Sequence, residues 1–177
     1  GDAVAVIGYL DQGGKGIIQA SLDSGAFDKF ILSDGMIGQS LVDAFGKDLN
    51  KSFGSMPGST GKGAGVFAEV AKASGIDSSG PYTGESYDAA ALIVLAMALG
   101  GSDDSATVAA NIMKVANGPG TKIYAGELAK GLELASAGFA VDYDGATDVN
   151  FTDVGEAFGA FIEKGIEGGT FTDAAQR

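Results

Sequence analysis

The chain has 177 residues, 45% of them apolar and 19% charged, enough to build one domain or a small pair of lobes around a real core. Its net charge is −12, from 11 Lys and Arg against 23 Asp and Glu, which argues against nucleic acid or an anionic membrane surface as a partner. With no Cys and no His, the sequence has no thiolate or imidazole metal sites, no Cys–His or Ser–His catalytic pairs and no disulfides.

Residues 3–8 (AVAVIG) form a short apolar run closed by Gly8, the pattern of a buried strand. Gly13 to Ser24 follows with Ile17, Ile18 and Leu22 at helical spacing, and Gly25 ends it. Lys29 to Leu32 predicts a second strand, stopped by Ser33-Asp34-Gly35. An amphipathic stretch from Met36 to Phe45 then leads to a third strand around Ser52 to Met56. Strand, helix, strand, helix, strand is the signature of an α/β fold with a parallel sheet.

Pro57 to Gly63 (PGSTGKG) is a breaker cluster and marks a linker or lobe crossing. Beyond it the pattern turns helical. Val66 to Ala73 is one segment, and Ser86 to Leu99 is another, apolar nearly all round and therefore buried. Its longest uninterrupted apolar run, Ala89 to Leu99, is too short to cross a bilayer, so no membrane insertion is expected. Ser102 to Ser105 supplies caps for a helix from Ala106 to Ala116, ended by Asn117-Gly118-Pro119-Gly120. Gly126 to Ala137 predicts a further helix with Leu128, Leu132 and Leu134 on its core face. The tail returns to strands, with Phe158 to Lys164 and Thr170-Phe171 forming a hairpin about a turn at Gly165 to Gly169.

Four groups of residues are candidates for chemistry. Gly13-Gly14-Lys15-Gly16 lies between strand and helix, where phosphate loops are found, but lacks the hydroxyl residue after the lysine and the dinucleotide glycine spacing. A glycine-eased turn explains it. Small-molecule sites in α/β folds lie at the C-terminal ends of parallel strands, which puts Tyr9 at a ligand-facing lip and Asp34 at the neighbouring strand end. Together they could accept an ammonium beside an aromatic face; the competing reading makes Asp34 a helix N-cap. Asp142, Asp144 and Asp148 alternate in a way that hints at calcium, but Gly145 falls at the wrong place for such a loop and a solvated acidic turn is the default. Tyr87-Asp88 reads equally as a ligand contact or as an aromatic anchor with an acidic first turn.

Three ordered stretches carry a family resemblance. DAVAVIGYLDQGGKGIIQASLDSG followed by FILSDGM, SFGSMPGS followed by YTGESYDAAALIVLAMALGGSDD, and GELAKGLELASAGFAVDYDGATDVNFTDVGEAFGAFIEKGIEGGTF together resemble the type I periplasmic substrate-binding proteins of branched-chain amino acid ABC transporters. The resemblance runs end to end but matches only the second half of that family's chain. It implies parts of two Rossmann-like lobes: 1–56 in the C-terminal lobe, 57–150 returning to the N-terminal lobe, and 151–177 closing the C-terminal lobe.

It further implies a non-enzymatic receptor that captures a small aliphatic amino acid between lobes and passes it to a membrane permease. The expected location is the periplasm, with any leader outside these residues, and no cofactor is expected. By resemblance Asp34 takes the ligand ammonium and Tyr9 lines the pocket. The alternatives are the same fold binding an aromatic acid, an amide or urea, and an α/β enzyme using the glycine-rich loop. Half of two lobes would leave apolar sheet faces uncovered, so association of the chain through them is expected.

Overall fold

A computed structural model describes residues 1–176. By its internal contacts the chain divides into two units, one of Gly1–Pro57 with the segment from Phe161 onward, the other of Gly58–Ala160. Residues 151–160 thus fall in the second unit rather than with the closing strands. Their two short strands, Asn150–Phe151 and Ala157–Phe158, pair with each other.

The first unit is built on three short apolar strands, β1 (Val4–Val6), β2 (Phe30–Leu32) and β3 (Phe53–Pro57), paired in parallel. Helix α1 (Lys15–Ser24) connects β1 to β2, and α2 (Gln39–Phe45) connects β2 to β3. Gly25 ends α1 in the left-handed region at φ 67°, as its place in the sequence predicts. The helix predicted from Met36 starts later. Asp34–Met36 makes a single 3-10 turn and Gly38 is extended before α2 begins. Alternate strand residues Val6, Phe30, Leu32 and Met56 turn to one face and pack with Ile18, Met36, Leu41, Leu49 and Ile166.

The sheet is mixed, not wholly parallel. Two antiparallel strands complete it beyond β3, Phe161–Glu167 and Thr170–Gln176, joined at Gly168-Gly169, both at positive φ. The hairpin turn is therefore tighter and later than the sequence suggests. On the opposite face of the sheet, register sets Ile31 beside Phe53, and with Phe161 they remain exposed.

In the second unit the chain runs α3 (Lys62–Ala73), α4 (Thr83–Gly100), α5 (Ser105–Ala116), β4 (Thr121–Tyr124), α6 (Leu128–Ser136) and β5 (Val141–Gly145), then the two short strands β6 (Asn150–Phe151) and β7 (Ala157–Phe158). In chain order the first unit's last two strands are β8 (Phe161–Glu167) and β9 (Thr170–Gln176). β4 and β5 pair in parallel, two strands beyond those the sequence pattern predicts. α4, α5 and α6 enclose a core of Leu92, Leu95, Val115, Ile123, Val141 and Tyr143. Asp104 caps α5 as expected, accepting from Ala106 N at 3.1 Å and Thr107 N at 3.0 Å. Among the described residues no single helix is long and apolar enough to cross a membrane.

Candidate functional site

The first candidate site is the C-terminal edge of β1 and β2. Their ends are tied by Ser33, whose backbone N donates to Val6 O at 3.1 Å and whose hydroxyl lies 3.2 Å from Gly8 N and 3.3 Å from Gly8 O. Past this knot each strand releases one candidate residue. Tyr9 is 64% exposed and its ring lies over Gly35, where a Cβ would come within 2.8 Å of Tyr9 Cδ1 and 2.5 Å of Gly8 O. Glycine at 35 is thus what lets the two strand ends close on each other. Asp34 follows directly after Ser33 and is half-buried.

The N-cap reading of Asp34 does not hold. Ser33 occupies the cap position of the 3-10 turn, Gly38 that of α2, and neither uses a side chain to cap. Among the described residues the Asp34 carboxylate has no hydrogen bond or ion pair. An unpaired carboxylate on the residue before Gly35, with an exposed aromatic ring over Gly35 itself, is suited to a cation bearing an apolar substituent.

The glycine-rich loop is occupied with packing. A Cβ on Gly14 would meet Met36 Sδ at 2.2 Å and Tyr9 O at 2.7 Å. Lys15 turns to Asp11, with Nζ at 2.7 Å from its carboxylate, so its ammonium is not offered to a phosphate.

In the second unit the aspartates separate into distinct tasks. Lys122 bridges Asp142 and Asp144 at 2.8 and 2.7 Å, and these hydrogen bonds push its ammonium above the ordinary lysine range. The pair is mostly shielded, so this stretch is neither a calcium loop nor a solvated acidic turn. No group of acidic residues that could hold a metal is present among the described residues.

Asp88 is only 2% exposed. Its Oδ1 accepts from Tyr143 Oη and Ala146 N, both at 2.8 Å, and its Oδ2 from Thr147 N at 2.8 Å and Thr147 Oγ1 at 2.7 Å. Burial raises its pKa against the pull of those bonds, and burial together with the facing carboxylate pushes the Tyr143 phenol up. Tyr87 accepts from Gly126 N at 3.0 Å, and its ring lies tilted against that of Phe67 with centroids 5.3 Å apart. The pair is an internal anchor, not a ligand contact. Tyr82, just before α4, is a bulky residue held at φ 62° with its ring open to solvent. Strain of this kind collects at ligand sites.

The chain superposes on the leucine-binding protein LivK of Thermotoga maritima with a TM-score of 0.66 at 18% identity, covering 99% of this chain and 44% of that one. It superposes on a type 1 periplasmic binding protein of Bordetella pertussis with a TM-score of 0.65 at 19% identity, covering 98% of this chain and 46% of that one. The fold is that of the type I periplasmic binding proteins.

A curated relative is also similar: the chemotactic signal transduction system substrate-binding protein BasB of Halobacterium salinarum, 39% identical over 67 residues, which is 38% of this chain and 16% of BasB. No protein-family model matches the chain. The chain spans less than half the length of these periplasmic binding proteins and about a sixth of BasB. Within this fold Tyr9 and Asp34 stand at the strand ends where α/β proteins take small molecules.

Proposed function

We propose that this chain is part of a solute-binding receptor, not an enzyme, and that its ligand is a small amino acid with an aliphatic side chain. The observation that carries the reading is the unpaired Asp34 carboxylate at one strand end with the exposed Tyr9 ring at the neighbouring one. Asp34 takes the ammonium, and the ligand's apolar part lies against the Tyr9 ring. A charge-assisted contact of this type is worth about 1.5–3 kcal/mol. Support comes also from similarity to a leucine-binding protein and to a substrate-binding protein of a chemotaxis system.

The receptor reading places the protein outside the cytoplasm, handing its ligand to an ABC permease. The BasB match favours a second reading of the partner, a chemotactic transducer. The binding reading predicts saturable heat when leucine is titrated into the protein that carries this sequence, lost in its Asp34→Ala variant. Heat with benzoate or urea but none with leucine would replace the ligand class. Leucine binding that survives Asp34→Ala would remove Asp34 from the site.

A further inference from the structure

Pro57 to Gly63 reads in the sequence as a breaker cluster, and the chain leaves the first unit for the second within it. Such a stretch would ordinarily be a pliant linker. Here it is bound down. Gly58 N donates to Ala160 O at 3.1 Å, Ser59 Oγ to Asp148 Oδ2 at 2.8 Å, and Gly61 N to Ser59 Oγ at 2.9 Å. A Cβ on Gly61 would lie 2.1 Å from Asp148 Oδ2, and one on Gly63 would lie 2.4 Å from Gly145 O. Residues 61–63 are therefore laid flat on the turn that ends β5.

Asp148 does this from φ 55°, a left-handed position that a short polar side chain such as aspartate tolerates better than most. The turn that carries it is held by Asp88. Its four accepted bonds all come from Tyr143, Ala146 and Thr147, the residues leading into Asp148. Each oxygen already receives two donors, so the turn has one arrangement that satisfies them.

We propose that Asp88 and Asp148 form a two-carboxylate latch, in which Asp88 shapes the 145–148 turn and Asp148 clamps residues 59–61 to it. Residues 59–61 are then fixed to the second unit's own turn, and they come free only when the latch breaks. Asp88 acts through the turn and is a positioning residue. The Asp148 carboxylate also sits at the N-terminal end of α3, where a negative charge is favoured by the helix dipole.

Lys62 supplies the probe. It is exposed on the first residue of α3, its Nζ lying 4.1 Å from the Tyr124 ring centroid, and trypsin can cut after it only when the segment lifts. The test is limited trypsin digestion of the 177-residue chain with mass-spectrometric timing of the Lys62–Gly63 cut. Losing one charge-assisted bond should speed that cut about tenfold in Asp148→Ala, with cutting after Lys29 in the first unit unchanged. Thr147→Val, which removes one donor to Asp88 and touches the clamp only through the turn, should speed it in the same direction. It also serves where Asp88→Asn does not fold. A Lys62–Gly63 bond cut as fast in the unaltered chain as in Asp148→Ala overturns the latch. Acceleration in Asp148→Ala but none in Thr147→Val overturns the role given to Asp88.

Discussion

The phenol of Tyr143 donates to Oδ1 of Asp88 across 2.8 Å inside the second unit, joining β5 to the first turns of α4. Both residues are sealed from solvent, but only the loss of Asp88 leaves buried polar groups without a partner. Tyr143→Phe takes away one donor and leaves three on the carboxylate, at a cost of about 1 kcal/mol. Asp88→Ala strands all four donors and should cost about 3 kcal/mol. Urea unfolding of the two variants measures this difference, and equal losses would contradict it.

Because burial raises the Asp88 pKa, the folded state holds this proton more tightly than the unfolded chain does. As pH falls through the folded value toward the ordinary aspartate value of 3.8, the Asp88 contribution to stability therefore rises. The groups facing it are the Tyr143 phenol and the Thr147 hydroxyl, neither charged in this range, with Tyr87 beyond them. An asparagine at 88 cannot titrate, so the stability lost in Asp88→Asn should be larger at pH 4 than at pH 7. Thermal melts of both chains across that interval test the sign. A loss that shrinks on acidification would mean the hydrogen bonds outweigh burial.

Gly35 is the second site of leverage. A methyl group there would run into Gly8 O and the Tyr9 ring, so Gly35→Ala must push apart the ends of β1 and β2. Overpacking of this sort costs about 1–3 kcal/mol. Since Tyr9 and Asp34 flank the wedge, leucine affinity should fall together with stability. Calorimetry on Gly35→Ala measures the first and urea unfolding the second; a stable variant with unaltered leucine affinity would separate Tyr9 and Gly35 from the site.

The legible parts of this molecule are those where hydrophobicity and local turn chemistry agree. β1, β2 and α4 show as apolar runs, Gly25 and Asp104 as helix ends, because each signal lies within a few residues of what it controls. β5 alternates buried Val141, Tyr143 and Gly145 with Asp142 and Asp144, a strand period masked by reading the aspartates as an acidic turn; Lys122 on β4, 20 and 22 positions away, is what neutralises them. Nor does any local pattern announce that Asp34–Met36 makes a separate 3-10 turn and that Gly38 is extended before α2. Tyr9 and Asp34 could be singled out from the strand ends alone, but the freedom of the Asp34 carboxylate depends on Ser33 having taken the cap position. The tie from Ser59 to Asp148 spans 89 positions and leaves no trace in either neighbourhood.

The sheet of the first unit is covered on one face only. Ile31 and Phe53 are register partners, Phe161 lies opposite Pro57 on the next strand, and all three side chains are exposed. They line a cavity of about 170 Å³ with Leu32, Ser55 and Glu163. Sheets with parallel strands are ordinarily buried on both faces, and an apolar patch of this kind draws a partner. The 177-residue chain by itself should therefore self-associate. Sedimentation velocity should show larger species as concentration rises, and Ile31→Lys with Phe161→Lys should return the chain to a monomer without altering the near-UV signal of the second unit's Tyr143. A chain that stays monomeric at high concentration would mean that this face is stable in water as it stands.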